Sequence, residues 1–216
     1  MRCRASEKPR WTVAPPSSFS GRTSRSSSQL RKPVVPRKTS TAKAAFYRQA
    51  YEQAVAGAPG LALGAYAFNW GSKMEATSTW FGMFLEDGAR TGAVDAMTEL
   101  WSGSPPDDLA PTVEPLVLEG KAQVDPGAEL GVKSLVTDPE GGDVQVRWVL
   151  RPEASEYATG GDFRPDLPDI EGVVMESSAE GVKLRMPDEP GPYRLFLYVY
   201  DGQGNAGHAN IPFRVK

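Results

Sequence analysis

The feature that most constrains this chain is a change of hydrophobic period at a proline-rich stretch, "SPPDDLAPTVEP", residues 104–115. Before it, apolar residues recur at helical spacing. After it they alternate, with Gly, Pro and Asp turns between short runs. Helices repeat every 3.6 residues and strands every two, so the two halves cannot belong to one kind of layer. The proline-rich stretch, taken as 104–113, reads as a linker between them.

Beyond the linker the alternation predicts strands at about 114–119, 129–136, 143–150, 171–176, 181–186, 193–200 and 207–215. "VQVRWVL" places Trp148 in the middle of a strand, where a two-sheet sandwich buries an indole between its layers. "DEPGPYRLFLYVYDG" has the Asp-x-x-Gly-x-Tyr form of a tyrosine corner, with Tyr193 opening the sixth strand and bonding backbone a few residues upstream. The last two strands form a hairpin around Asp201-Gly202 and Gly204-Asn205, residues that tolerate positive φ. Residues 114–216 therefore read as an all-β immunoglobulin-like sandwich. His208, alternating with small residues in the final strand, is expected at the surface.

Before the linker, "STAKAAFYRQAYEQAVAG" sets Phe46/Tyr47, Ala50/Tyr51 and Ala54/Val55 one turn apart, with Ser40 or Thr41 as N-cap and Gly57 as stop. "LALGAYAF", 61–68, is apolar on both faces, as a strand covered on two sides would be. "TGAVDAMTELWSG" predicts a second helix, capped by Thr91 and ended by Gly103, with Val94, Met97 and Trp101 inward. Between strand and helix, Trp70, Lys73, Glu75, Thr79 and Trp80 cluster in one loop.

The first 43 residues hold eleven Lys/Arg against the single acid Glu7, with nine serines and five prolines. Such a segment cannot bury enough apolar surface to offset its ordering entropy, so 1–41 is expected to be a disordered basic arm. Trp11 and Phe19 are its only aromatics, too few to stack on bases, which disfavours nucleic acid as a partner. No apolar run reaches the ~20 residues needed to span a bilayer, and no membrane association is expected. The N-terminus lacks the apolar core of a signal peptide.

Cys3 and His208 are the only residues of their kinds, so a disulfide within the chain and a Cys/His zinc site are excluded. No metal or cofactor is expected. The acidic turns "DPEGGD" (Asp138, Glu140, Asp143) and "GGDFRPDLPD" (Asp162, Asp166, Asp169) lack calcium-loop spacing and read as solvated turns.

"GAYAFNWGSKMEATSTWFGMFLEDG", "AVDAMTELWSG", "VTDPEGGDVQVRWVL" and "GPYRLFLYVYDGQGNAGHANIPFRV" together resemble the C-terminal part of bacterial TIM-barrel glycoside hydrolase-like proteins with an appended cadherin- or PKD-like domain. The resemblance implies that 42–103 is a partial (β/α) barrel remnant, with helix 42–57, strand 61–68 and helix 90–101 as the barrel's end. It implies a substrate-binding rim of Trp70, Lys73, Glu75 and Trp80, with Trp70 stacking on a sugar. It also implies full-length relatives that are secreted or at the cell surface. Barrel glycosidases need two carboxylates from earlier strands, so this chain is expected to lack a catalytic pair and to be inactive alone.

Two further expectations follow. The uncovered barrel face should self-associate, dock on the sandwich or remain partly disordered. The alternative to a truncated carbohydrate-related protein is a non-catalytic immunoglobulin-like module that binds polysaccharide, oligosaccharide or a protein partner.

Overall fold

The computed structural model describes residues 38–154 and 164–216. The expected arm therefore lies outside the described residues up to position 37, as does Asp162. The described residues form one compact unit.

Among the described residues ten strands build the β part: β1 (Thr112–Val113), β2 (Val117–Glu119), β3 (Gln123–Val124), β4 (Glu129–Lys133), β5 (Val136–Thr137), β6 (Gln145–Pro152), β7 (Val174–Ser177), β8 (Gly181–Arg185), β9 (Gly191–Tyr200) and β10 (Ala206–Val215). One four-stranded sheet has the order β3-β10-β9-β6 and a second has β2-β4-β8-β7, with β1 and β5 paired apart. β10 runs antiparallel to β9 along its whole length, from Ala206 opposite Tyr200 to Val215 opposite Gly191. β3 pairs with β10 in parallel, but only at Arg214 and Val215.

The sheets meet face to face. Trp148 and Leu150 of β6, Leu195, Leu197 and Val199 of β9, and Phe213 of β10 pack with Leu130, Val132, Val182 and Leu184 of the opposite sheet. The period-two pattern dictates this layer, because alternate residues leave a strand on opposite faces. Trp148 is buried, and its indole N–H donates to Ser178 O at 3.0 Å. The tyrosine corner is formed: Tyr193 hydroxyl donates to Glu189 O at 2.8 Å. This is the expected immunoglobulin-like sandwich. Its strands are more broken than expected. The run 114–119 begins two residues earlier as β1 and resumes as β2, 129–136 divides into β4 and β5, and the two-residue β3 is too short to leave an alternation.

The segment before the linker differs from expectation. α1 (Ser40–Tyr51) continues into a π-helical turn at Glu52–Ala56, and α2 (Gly92–Ser102) ends at Gly103 with φ 85°. The N-cap of α1 is Thr39, whose hydroxyl accepts the Ala42 N–H at 3.1 Å. Thr91 opens α2, but its hydroxyl donates to Met83 O at 2.8 Å instead of capping. Trp101 is exposed, and Leu100 packs beside Met83, Val94 and Met97 in its place.

Residues 61–68 form no strand. Leu63 and Tyr66 are 102% and 104% exposed. A two-sided apolar run becomes a strand only where neighbours supply hydrogen bonds, and among the described residues none pairs with it; Ala67 packs against the Met83 cluster. No barrel remnant is supported. The start of α1 and residues 78–90 instead lie against the outer face and edge of the β3-β10-β9-β6 sheet. Leu85 packs with Val149, Phe196, Tyr198 and Ala206, so β9 is buried on both faces.

The cover also closes the edge of β10 that β3 leaves bare. The outward N–H groups of β10 fall on even-numbered residues. Ala206 donates to Arg90 O at 2.7 Å, His208 to Ser40 Oγ at 2.8 Å, and Arg214 to Ala122 O at 2.9 Å. Pro212, in the same series, has no N–H to offer. His208 is thus 1% exposed, contrary to the surface position expected. The small residues beside it mark close approach: a Cβ on Gly207 would lie 2.5 Å from Pro111 O.

Candidate functional site

Residues 69–91 form a folded loop laid on the sheet. Asn69 O accepts from Met83 N at 3.1 Å, and Thr91 N donates to Met83 O at 3.0 Å. Gly82 allows the segments of this loop to approach, since a Cβ there would lie 2.9 Å from both Gly71 O and Phe84 O. Gly88, at φ 88°, closes the turn that brings Leu85 back to Ala89. The loop is pinned to the sandwich by side chains. Arg151 donates to Ser78 Oγ at 3.1 Å, Ser78 Oγ lies 3.2 Å from the Tyr198 hydroxyl, and Tyr200 donates to Asp87 at 2.8 Å.

Two of the cavities that this loop borders involve the predicted rim residues. The first, about 660 Å³, opens beside Trp70, with Asn69, Lys73, Glu86, Arg164 and Asp166 among its polar residues. Trp70 is 60% exposed and is steadied by an edge-to-face contact with Phe84 at 5.0 Å. Lys73 bonds Glu75 at 2.7 Å, and both side chains are largely covered. Of the four predicted rim residues, Trp70 and Lys73 share this cleft. Glu75 joins through its lysine only.

Trp80 lies elsewhere. It packs on Phe81 at 5.8 Å, which in turn meets Phe68 at 5.5 Å, and it lines a second cavity of about 540 Å³. Thr79 is buried beneath; its carbonyl accepts from Lys43 and its hydroxyl from Asn210 at 3.5 Å. Lys43, Phe46 and Tyr47 of α1 also line this second cavity. Sequence periodicity assigned Phe46 and Tyr47 to packing and gave no signal for Lys43. Burial pulls the Lys43 ammonium down to about 7.

The acidic turns bind protein groups. Asp138 accepts from Glu140 N and Gly142 N at 2.9 and 3.2 Å. Asp166 and Asp169 clasp Arg151 at 2.5 and 2.7 Å, and Asp169 also holds Arg147. The described residues contain no grouping of three His, Cys, Asp or Glu side chains suited to a metal ion.

No family model matches the chain, and no curated protein matches it. Among solved structures, the PKD domain of an M14-like peptidase from a Thermoplasmatales archaeon is similar, with a TM-score of 0.28 and 11% identity. That match covers 49% of this chain and 92% of the archaeal domain. The resemblance to barrel glycoside hydrolases finds no support in these comparisons or in the fold. The described residues define an immunoglobulin-like β-sandwich with a helical cover.

Proposed function

We propose that this chain is a non-catalytic binding module of immunoglobulin-like fold that takes carbohydrate in the Trp70 cleft. The observation that carries the reading is the position of Trp70, an indole held by Phe84 yet mostly open to solvent inside a cavity with a polar rim. The C–H face of a pyranose packs on an indole, while its hydroxyls need hydrogen-bonding groups around it. The cleft holds two acids, Glu86 and Asp166, but the Asp166 carboxylate is engaged by Arg151. That favours binding over hydrolysis, which needs a free pair of carboxylates.

Affinity electrophoresis against a panel of soluble polysaccharides tests the reading. Retardation by one of them, lost in Trp70→Ala, supports it. Migration unchanged by every polysaccharide would sink it.

A second reading, recognition of a protein surface or of another copy of this chain, is favoured by the exposed run Leu61, Leu63, Tyr66 and Phe68. Large apolar side chains clustered in solvent mark association sites. Sedimentation that depends on concentration, and ceases to do so in the Leu63→Ser/Tyr66→Ser double variant, supports this reading. A monomer at every concentration removes the self-association form of it.

A further inference from the structure

The second cavity has a composition unlike the first. Its walls are the aromatic rings of Phe46, Tyr47, Phe68, Trp80 and Phe81, the Tyr47 hydroxyl being engaged by Phe68 O, and its charged groups among the described residues are two ammoniums, Lys38 and Lys43. Among the described residues no carboxylate lines it. Lys38 Nζ stands 4.2 Å from the centre of the Phe46 ring. Lys43 Nζ donates to Thr79 O. Among the described residues neither lysine forms an ion pair, although eleven such pairs are made by other side chains.

A cation held in an apolar recess without a counter-ion is costly, because the ring faces and one carbonyl replace only part of its hydration. The downward pull on the Lys43 ammonium expresses that cost. Lys38, at the exposed mouth, adds a second positive group. A monoanion entering the recess offsets the penalty on Lys43, and charge-assisted bonds from two lysines to one carboxylate are stronger than neutral ones. The aromatic walls set the other requirement. Hydroxyls placed against them would lose water without gaining partners, so the body of the ligand must be apolar, and the edge-to-face rings favour a flat one. The volume suits a small organic molecule.

We propose that the cavity between α1 and the 68–81 loop is a binding site for an aryl carboxylate, its carboxylate held by Lys43 and Lys38 and its ring packed against Phe46, Phe68, Trp80 and Phe81. The site is independent of the Trp70 cleft and of the carbohydrate reading. Cationic ligands are excluded by the lysines, and neutral aromatics leave the ammoniums uncompensated.

Isothermal titration of the full chain with three probes of one shape tests this: 2-naphthylacetate, 2-naphthaleneethanol and 2-naphthylmethylamine. The carboxylate is expected to bind about ten-fold or more tightly than the alcohol, and the amine not at all. Lys43→Gln should remove that preference while leaving the alcohol's affinity in place, a split that loss of folding could not produce. Lys38→Gln, at an exposed position, should weaken the carboxylate in the same sense and decides the matter if Lys43→Gln does not fold. Trp70→Ala should leave the carboxylate's affinity unchanged. The proposal is overturned if alcohol and carboxylate bind equally, if the amine binds best, if the carboxylate gives no heat, or if neither lysine variant alters the preference.

Discussion

The hydroxyl of Ser40 accepts the backbone N–H of His208 at 2.8 Å, joining the first turn of α1 to the middle of β10. Both residues are buried, and the bond stands where another strand would pair if the sheet continued. Its neighbours act alike. Thr39 caps α1, and Thr41 Oγ1 accepts the Val113 N–H at 2.8 Å. Three successive hydroxyls thus satisfy backbone donors from α1, β10 and β1.

Ser40→Ala is expected to destabilise the fold by about 1–3 kcal/mol, since it takes the acceptor away from a buried N–H. Urea unfolding measures the loss. Amide exchange at His208 should accelerate more than at Leu197, which lies inside the β9 ladder. Equal protection of both amides would show that the bond carries nothing.

Glu153 and Arg194 form a two-pronged pair, with Arg194 Nε and one terminal nitrogen each 2.8 Å from a carboxylate oxygen, while the other terminal nitrogen bonds Asn210 at 2.6 Å. Arg194 is nearly sealed from solvent. Glu153→Ala takes two charge-assisted bonds away from this buried guanidinium and should cost about 3 kcal/mol or more. Arg194→Met with Glu153→Met should cost markedly less than Glu153→Ala. Thermal or chemical unfolding of the variants checks the order.

Stability should rise with pH across the neutral range. His208 is a base held well below its ordinary value of 6.5 by burial and then by Lys43, so below 6.5 the unfolded chain takes up a proton that the fold refuses. Lys43, pulled from 10.5 to about 7 by burial, acts in the same direction between those two values. Asp95, raised by burial, acts oppositely and only nearer its ordinary 3.8. Melting temperature is expected to climb from about pH 5 to about pH 9. His208→Gln should flatten the acid limb and Lys43→Gln the alkaline limb. A limb unchanged by its variant would assign the effect elsewhere.

Tyr193→Phe removes the bond to Glu189 O but keeps the ring stacked on Phe213, at 6.3 Å between centroids. The expected cost is about 1 kcal/mol, read as a shift in urea midpoint without a change in slope. A cost near zero would mean that water replaces the hydroxyl.

The sandwich was legible because its inner face obeys a local rule. Trp148, Leu150, Leu195, Leu197 and Phe213 alternate, and each points where a period of two sends it. The outer face was harder to read. Phe196 and Tyr198 interrupt that alternation, a sign that β9 is covered on two sides, but nothing local says by what. The same reasoning applied to 61–68 failed. Apolar residues on both faces are necessary for a covered strand, not sufficient, and hydrogen-bonding neighbours are settled only by the tertiary fold. His208 misled for a related reason, since Gly207 and Ala209 look like surface alternation yet permit Pro111 and α1 to approach.

The candidate site was legible in part. Trp70 and Lys73 share a cleft because they are near in sequence on one loop. Trp80 is as near, but the turn at Gly82 and the pairing of Asn69 with Met83 send it to the other side. The residues that complete each cavity, Arg164 and Asp166 in one and Lys43 and Phe46 in the other, come from distant segments and left no pattern to find.

β10 carries a consequence for how the molecule comes into being. Its inner face belongs to the sandwich, while its outer edge and face anchor Ser40, Thr79 and Arg90, all made more than a hundred residues earlier. On a translating ribosome those anchors must wait on the order of ten seconds for their partner strand to emerge. Throughout that interval the early aromatic segments stand open to chaperones and proteases, until β10 clears the exit tunnel.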